Sequence, residues 1–405
     1  MLRYILRYSL PLILLPIIIF ARNPVSYVVN GTGETLSKIN LETGVVENNI
    51  LTLGSDVLCY PTQIVVRDTL AYVLNSGTNE IQIIDLNTET TVAFINVGAD
   101  FSPFWMAFLD SQFVYVTSFT QNNVARVDVI NESIVSQTPV GISPEGIIIR
   151  DFKAYIAITA FDHQTWEYGQ GKVVVFDTHT DTVIEELDVG TNPQYLACDS
   201  LGRIHVVCTG DYWSSFGMIY IINADVDVVV DSFSIGGSPG NITISPDNIA
   251  YLAAGGWVGD GYVYTYNALS GQMYHPSDNP LVVDSGCMMT VAWQDTTVFV
   301  GTFEDYVTEI DSAGNSLQSF ALGDGPIYAD FNYLPGDLTG NFQVDITDLI
   351  WMVNWFFTGG PPALYPRWRA NVDGNEQYNI ADLVYFTSYM FMDGPPPKIG
   401  INWLN

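Results

Sequence analysis

Positive charge is what this sequence has least of. Thirteen Lys and Arg, only four of them Lys, stand against 44 Asp and Glu, leaving a formal net charge of −31. Nucleic-acid binding needs a clustered basic surface, so this composition argues against such a partner and for an acidic protein of a calcium-rich exterior. Cysteine is nearly as scarce. Cys59, Cys198, Cys208 and Cys287 are too few and too scattered for a disulfide scaffold and read as small buried hydrophobes. His163, His179, His205 and His275 show no metal-ligand spacing, and His205 occupies a position where related segments carry Tyr, which points to a core role. No serine lies in a Gly-x-Ser-x-Gly setting and no phosphate-cradling glycine loop is present, so no catalytic residue is assigned. Long apolar runs are absent except at residues 10–20, behind Arg3 and Arg7 and ahead of Ala21 and a polar start at Arg22. That run is short for a bilayer span and reads as a cleaved export signal over residues 1–21. No cysteine follows it, which argues against a lipoprotein. The expectation is a secreted protein, extracellular or at the cell surface, with no membrane span after signal cleavage.

What is abundant is repetition. "SYVVNGTGETLSKINLETG" recurs as "AYVLNSGTNEIQIIDLNTE" and "VYVTSFTQNNVARVDVINE", and the leading aromatic falls at Tyr27, Tyr72, Tyr115, Tyr155, His205, Tyr251 and Phe299, 40 to 50 residues apart. Each unit then places a short polar residue, at Asn40, Asp85, Asp128, Asp177, Asn223, Asn267 and Asp311, where its side chain can bond its own backbone and start a hairpin turn. A third run ends in glycine, and proline opens a fourth at Pro61, Pro103, Pro144, Pro193, Pro239 and Pro326; the sixth unit has Met288 there instead. Four short β-rich runs repeated seven times predict a mainly β fold, a seven-bladed β-propeller over residues 25–333. The chain enters at the second strand type and leaves on the first, so "PIYADF" is expected to complete the first blade and close the ring.

The interval from aromatic to turn residue is 13 in the first three units, then 22, 18 and 16 in the next three. The insertions, "AFDHQTWEYGQGK", "TGDYWSSFG" and "GGWVGDG", are expected to raise Trp166, Tyr168, Tyr212, Trp213, Phe216 and Trp257 over one sector of the face that carries the Gly-Pro loops. Loop aromatics beside Asp and Gly suit stacking on a sugar or a peptide, unless the loops fold over and bury their own rings. On "YVLN", "IIDLNTETTVAFINVG" and the Gly-Pro loops, residues 26–333 resemble the YVTN family of surface-layer-like β-propellers. That resemblance implies the fold but not a function, because propellers serve binding, catalysis and scaffolding alike.

Past residue 334 the alternation gives way to "DITDLIWMVNWFFTGGPP", apolar positions crowded as on a helix and a Gly-Pro stop, and the pattern returns 34 residues later. Ahead of each helix lies a twelve-residue loop. Asp337, Thr339, Asn341, Asp345 and Asp348 fall at steps one, three, five, nine and twelve, with the Gln343 carbonyl at seven. Asn371, Asp373, Asn375, Asn379 and Asp382 repeat the beat, with Gln377 at seven. Such oxygens at such steps are a calcium loop, with the first loop the stronger, because the second offers only Asp373 and Asp382 as acids. The pair, residues 334–397 ahead of a tail at 398–405, resembles a type I dockerin domain, whose calcium loops order two helices that dock onto a cohesin module of a scaffold or surface protein. Step six departs from the family, with Phe342 and Glu376 where glycine is expected and a positive φ is strained.

Together these features predict an exported, non-enzymatic binding protein attached through its C-terminal unit to a cohesin-type or other surface partner. The alternatives are a polysaccharide hydrolase or lyase carried by the same tail, with carboxylates drawn from distant loops, and a structural tile of a surface layer.

Overall fold

A computed structural model describes residues 20–21, 24–255, 260–283, 286–294, 297–302, 305–360, 367–375 and 377–398. Seven antiparallel sheets form a seven-bladed β-propeller. From inner to outer strand, blade 2 is Pro61–Arg67, Leu70–Asn75, Glu80–Asp85 and Thr90–Asn96, and blades 3, 4, 5 and 7 repeat this order from Pro103, Pro144, Pro193 and Cys287. In blade 6 the outer strand is broken into Met273–His275 and Leu281–Val283, both paired with Gly261–Asn267. Blade 1 takes its inner strand, Pro326–Phe331, from the far end of the ring, pairing Val28 with Ala329 and Ser26 with Phe331. The closure expected of "PIYADF" is therefore present, and no strand edge is left open between the first and last blades.

The recurring residues do the work their spacing implied. Second strands are almost wholly buried, whereas outer strands are mostly exposed, with partly buried positions alternating along the outer strand of blade 2. The turn residues cap their own hairpins: Asp85 Oδ1 accepts from the N–H groups of Asn87 (2.8 Å) and Thr88 (3.2 Å), and Asp177 from those of His179 (2.8 Å) and Thr180 (3.1 Å). The strand aromatics join neighbouring blades. Tyr115 donates to Thr178 O (3.2 Å) and to Asp181, and Tyr155 to Ala224 O (3.1 Å) and Asp227 (2.5 Å). His205 is buried in the same role, its ring bonded to the Tyr266 hydroxyl (2.7 Å) and Asp199 (3.3 Å). None of the four cysteines forms a disulfide.

Beyond Tyr333 come a short strand Gln343–Val344, helix α1 (Ile346–Thr358), a 3-10 turn Arg367–Ala370 and helix α2 (Ile380–Phe391). Residues Phe20–Ala21 pair with Gln343–Val344. Each helix opens on a capping box at step nine of its loop, Asp345 with Asp348 and Asn379 with Asp382, and α1 ends at Gly359 in the left-handed conformation. The helices share a core of Leu334, Leu338, Val344, Leu349, Met352, Val372 and Phe386. Phe342 does not join it: this side chain is buried in the propeller, in a cluster with Val28, Phe299, Phe320, Phe331 and Tyr333. The two-helix unit therefore rests against the propeller base. Among the described residues no helix is long and apolar enough to cross a membrane.

Candidate functional site

Two regions concentrate chemistry: the propeller face that carries the Gly-Pro loops, and the pair of twelve-residue loops at its base.

The insertions of blades 4 and 5 share a face with the Gly-Pro loops. A Cβ on Gly171 would lie 2.0 Å from Gly190 O and 2.6 Å from Pro193 Cδ, and one on Gly217 would lie 2.4 Å from Gly236 O and 2.5 Å from Pro239 Cδ, so only glycine lets insertion and Gly-Pro loop close on each other. The insertions are built around one acid each. Asp162 accepts from the N–H groups of Gln164 (2.7 Å) and Thr165 (3.3 Å) in a small hairpin, and Asp211 accepts from those of Trp213, Ser214 and Ser215 at 2.7–2.9 Å. The Ser214 hydroxyl and these amides hold the Asp211 carboxyl well below the usual carboxylate range. So framed, the loops present their rings outward: Trp166 is 77% exposed and Trp213 88%, with Tyr212 and Phe216 also exposed. Trp166 and Tyr212 have φ of 62° and 69°, a conformation that bulky side chains rarely adopt and that costs on the order of 1–3 kcal/mol. Tyr168 is half-buried behind them, and Trp257 lies outside the described residues.

Toward the centre of this face lies a cavity of about 620 Å³ that the sequence reading missed. Its rings are Tyr60, Phe104, Trp105, Tyr195 and Tyr328. Trp105 meets Tyr195 and Tyr328 edge to face, with centroids 5.4 and 4.9 Å apart. Tyr328 also borders a second cavity of about 190 Å³ deeper in the channel, beside Gln63, Met106 and Asp330. Four of these rings sit at a recurring place, the first or second residue after the repeat's proline, as in Pro103-Phe104-Trp105 and Pro326-Ile327-Tyr328, whereas Tyr60 comes just before Pro61. Rings continue outward from the cavity through Phe104, Phe119 and Phe161 to Trp166 and Tyr168, each 5.0–6.3 Å from the next.

Between cavity and insertions sits Glu145, on the inner strand of blade 4. It is buried, its Oε2 has no hydrogen-bond partner, and burial raises its carboxyl well above the usual range against the bond from Gln194. Gln194 in turn accepts from Thr209 Oγ1 (2.6 Å), and Tyr168, Tyr195 and Tyr212 lie close enough to Glu145 to have their hydroxyl pKa values raised by it, after burial.

At the base, the two loops share much of their hydrogen bonding. The step-twelve carboxylates, Asp348 and Asp382, accept from the step-nine N–H (2.9 and 3.0 Å) and from the step-three N–H (3.0 and 3.4 Å), and Gly340 and Gly374 at step four have φ near +70°. Asp337 Oδ1 accepts from the N–H of Gly340 (2.8 Å) and Asn341 (3.1 Å). Asn341 and Asn375 each turn back to the next amide but one, and Asp345 and Asn379 cap α1 and α2. Asp337, Asp348, Asn371 and Asp382 are fully buried, and Asn371 Oδ1, at step one of the second loop, is an orphaned acceptor. That oxygen and the all-oxygen donor set fit a hard cation. Two observations weigh the other way. Arg369 Nη1 lies 3.4 Å from Asp337 Oδ2 and already places a positive charge at step one of the first loop. Among the described residues no three His, Cys, Asp or Glu side chains converge on a common point. Thr339, Gln343, Asp373 and Gln377 lie on the loops as the spacing placed them, and φ at Phe342, step six, is +57°. Glu376 is outside the described residues.

No protein-family model matches this chain, and no curated protein matches it. Solved structures do. A quinonprotein alcohol dehydrogenase-like protein from Bacteroides thetaiotaomicron is similar at 17% identity over 78% of this chain and 79% of that one, with a TM-score of 0.57. A functionally unknown protein from Desulfotomaculum acetoxidans is similar at 15% identity over 76% and 98%, with a TM-score of 0.56. Virginiamycin B lyase from Staphylococcus aureus is similar at 13% identity over 64% and 83%, with a TM-score of 0.50. At such identities the likeness is one of fold.

Proposed function

We propose that this chain is an exported binding protein of YVTN-type propeller architecture, whose propeller recognises a sugar or peptide through the blade 4–6 sector and whose dockerin-like unit attaches it to a cohesin-type scaffold or surface partner with calcium. The observation that carries the reading is the pair of outward-facing tryptophans, Trp166 and Trp213, on loops locked by Asp162 and Asp211. Exposed rings on a rigid frame bind by stacking at little cost in conformational entropy. The partner face is the apolar stripe left in solvent on the two helices, Ile350, Val353 and Phe357 on α1 with Ile380, Val384 and Phe391 on α2. Calcium held by the loop oxygens offsets the charge of Asp337, Asp345 and Asp348 or of Asp373 and Asp382, and the residues' own part is to orient both helix N-termini through the two capping boxes. The test is binding of the full chain to immobilised glycans and peptides. Trp166→Ala and Trp213→Ala are each expected to cost about 0.5–1.5 kcal/mol, a roughly two- to tenfold loss of affinity, with melting unchanged. Lowered melting with unaltered binding overturns the reading.

A second reading, a polysaccharide hydrolase or lyase, is favoured by Glu145 alone: a buried carboxyl whose pKa burial raises, beside Tyr168 and Tyr212, has the form of a general acid. Release of reducing ends or unsaturated products from a polysaccharide panel, abolished in Glu145→Gln, would establish it.

A further inference from the structure

The central cavity differs in chemistry from the sector of exposed tryptophans. Five rings border it, and its remaining lining is apolar or weakly polar: Val57, Leu58, Ile327, Met288, Thr32, Thr62 and Asn241. Among the described residues its one charged lining residue is Glu34, and no Lys or Arg contributes. The few basic side chains are engaged elsewhere, Lys38 with Glu47 and Glu89, Lys153 with Asp227, and Arg150 with Asp225. An anionic ligand would therefore meet a carboxylate and no counter-charge inside a chain of net charge −31. A neutral sugar would find two of the lining's strongest acceptors, Glu34 and Asn241, already engaged. Asn241 Oδ1 accepts from Thr290 N (3.0 Å), and the two Glu34 oxygens accept from Leu58 N (3.1 Å) and Tyr60 N (3.3 Å). What is left over is ring surface, one carboxylate whose charge no cation balances, and a buried Thr62 hydroxyl without a partner. Leu58 and Tyr60, which close one side, have positive φ (60° and 43°), so the wall is held in a strained conformation against the cavity.

Aromatic rings on several sides with a nearby carboxylate and no basic neighbour are the environment of a weakly hydrated organic cation, attracted by the negative ring faces. We infer that the central cavity binds a quaternary ammonium group, free or carried on a larger molecule, with Tyr60, Phe104, Trp105, Tyr195 and Tyr328 as its cage, Glu34 as its counter-charge and Thr62 as the partner of a hydroxyl on the same ligand. This site is independent of the blade 4–6 sector, and its ligand need not be the one that the tryptophans recognise.

The experiment is calorimetric titration of the full chain with choline, with its uncharged isostere 3,3-dimethylbutan-1-ol, and with a peptide carrying trimethyllysine. Choline is expected to bind at least about tenfold more tightly than the isostere, since the cation–ring attraction is lost when the charge is removed but the shape is kept. Trp105→Leu should abolish that preference, and Glu34→Gln should weaken choline by roughly threefold, as a half-exposed charge is worth little more. Tyr60 is exposed, so Tyr60→Ala weakens choline without touching the fold and serves where Trp105→Leu lowers melting. Tighter binding of the peptide than of choline assigns the cation to a protein side chain, and the reverse assigns it to a small molecule; both support the inference. Equal affinity for choline and the isostere, or no binding of any of the three probes, overturns it. Trp213→Ala is expected to leave choline binding intact, so failure here and failure of the tryptophan-sector reading are separately visible.

Discussion

Phe342 offers the sharpest test of how the molecule is joined. It occupies step six of a loop that belongs to the two-helix unit, yet its ring is buried among Phe299, Phe320, Phe331 and Tyr333 of the propeller. Two terms act on it in opposite directions. Deleting a core phenylalanine side chain costs about 3–5 kcal/mol, while relieving a left-handed non-glycine residue returns about 1–2 kcal/mol. Phe342→Gly should therefore destabilise the junction by about 1–4 kcal/mol even though glycine suits the loop itself better. Arg369, stacked on Tyr333 at 4.3 Å, is another tie across the junction and remains in the variant. The loss should appear as uncoupling: a single calorimetric transition in the parent becomes two, the two-helix unit melting first, and proteases gain access near residues 333–336. With Phe342 in place, calcium should move the melting of both the C-terminal unit and the propeller, and in Phe342→Gly only that of the unit. A variant with one transition at the parental temperature would refute the reasoning.

The other expected outcomes concern separate features. Calorimetric titration of the full chain should show calcium uptake that Asp348→Ala together with Asp382→Ala abolishes, and equal uptake in both would reduce the loops to capped turns. The orphaned Asn371 Oδ1 implies that Asp382→Ala alone removes a measurable part of that uptake, whereas an unchanged stoichiometry would place all of it in the first loop. For Asp330, burial raises the pKa to about 7 despite bonds from the Val66 and Phe331 amides and the nearby Arg67 charge. A carboxyl whose folded pKa lies above its unfolded value of about 4 binds more protons when folded, so stability falls as pH rises from about 4 to 7 and is level beyond. Asp330→Asn should flatten that slope in urea titrations at pH 5 and 8, and an unaltered slope would contradict the assignment.

Much of the propeller was legible because a blade is a local object. Aromatic, turn acid, glycine and proline sit within one repeat, and each marks a backbone event that any copy must perform; Asp85 and Asp177 bind the amides of their own turns. The two helices were legible for the same reason, since Asp345 and Asn379 cap chains that begin at the next residue. The central cavity was not. It is assembled from Tyr60, Phe104, Trp105, Tyr195 and Tyr328, one or two residues from each of several blades, and nothing in a repeat reveals which of its alternating inner-strand positions faces the axis. Glu145 was hidden similarly, its surroundings coming from Gln194, Tyr168 and Tyr212 on other strands and loops. Phe342 was noticed as a violation of the loop pattern, but the reason for the violation lies in the propeller core, which the loop's own sequence does not describe.

The strand Pro326–Phe331 gives the ring a direction in time. Val25 bonds the side chain of Asn332, 307 residues later, so as the chain is made the first blade stands with one face bare until nearly the last of the propeller has emerged. Loop-closure entropy of that span is met only at the end, so the final step of folding is a long-range capture with the slow kinetics of non-local topologies. Chains cut after residue 333 keep a closed ring, whereas chains cut before Pro326 hold six complete blades and a three-stranded remnant with an exposed edge, a template for pairing with a second truncated copy. Quality of synthesis at one short segment thus decides between a closed monomer and an aggregating one, at a distance of some 300 residues from the strand it completes.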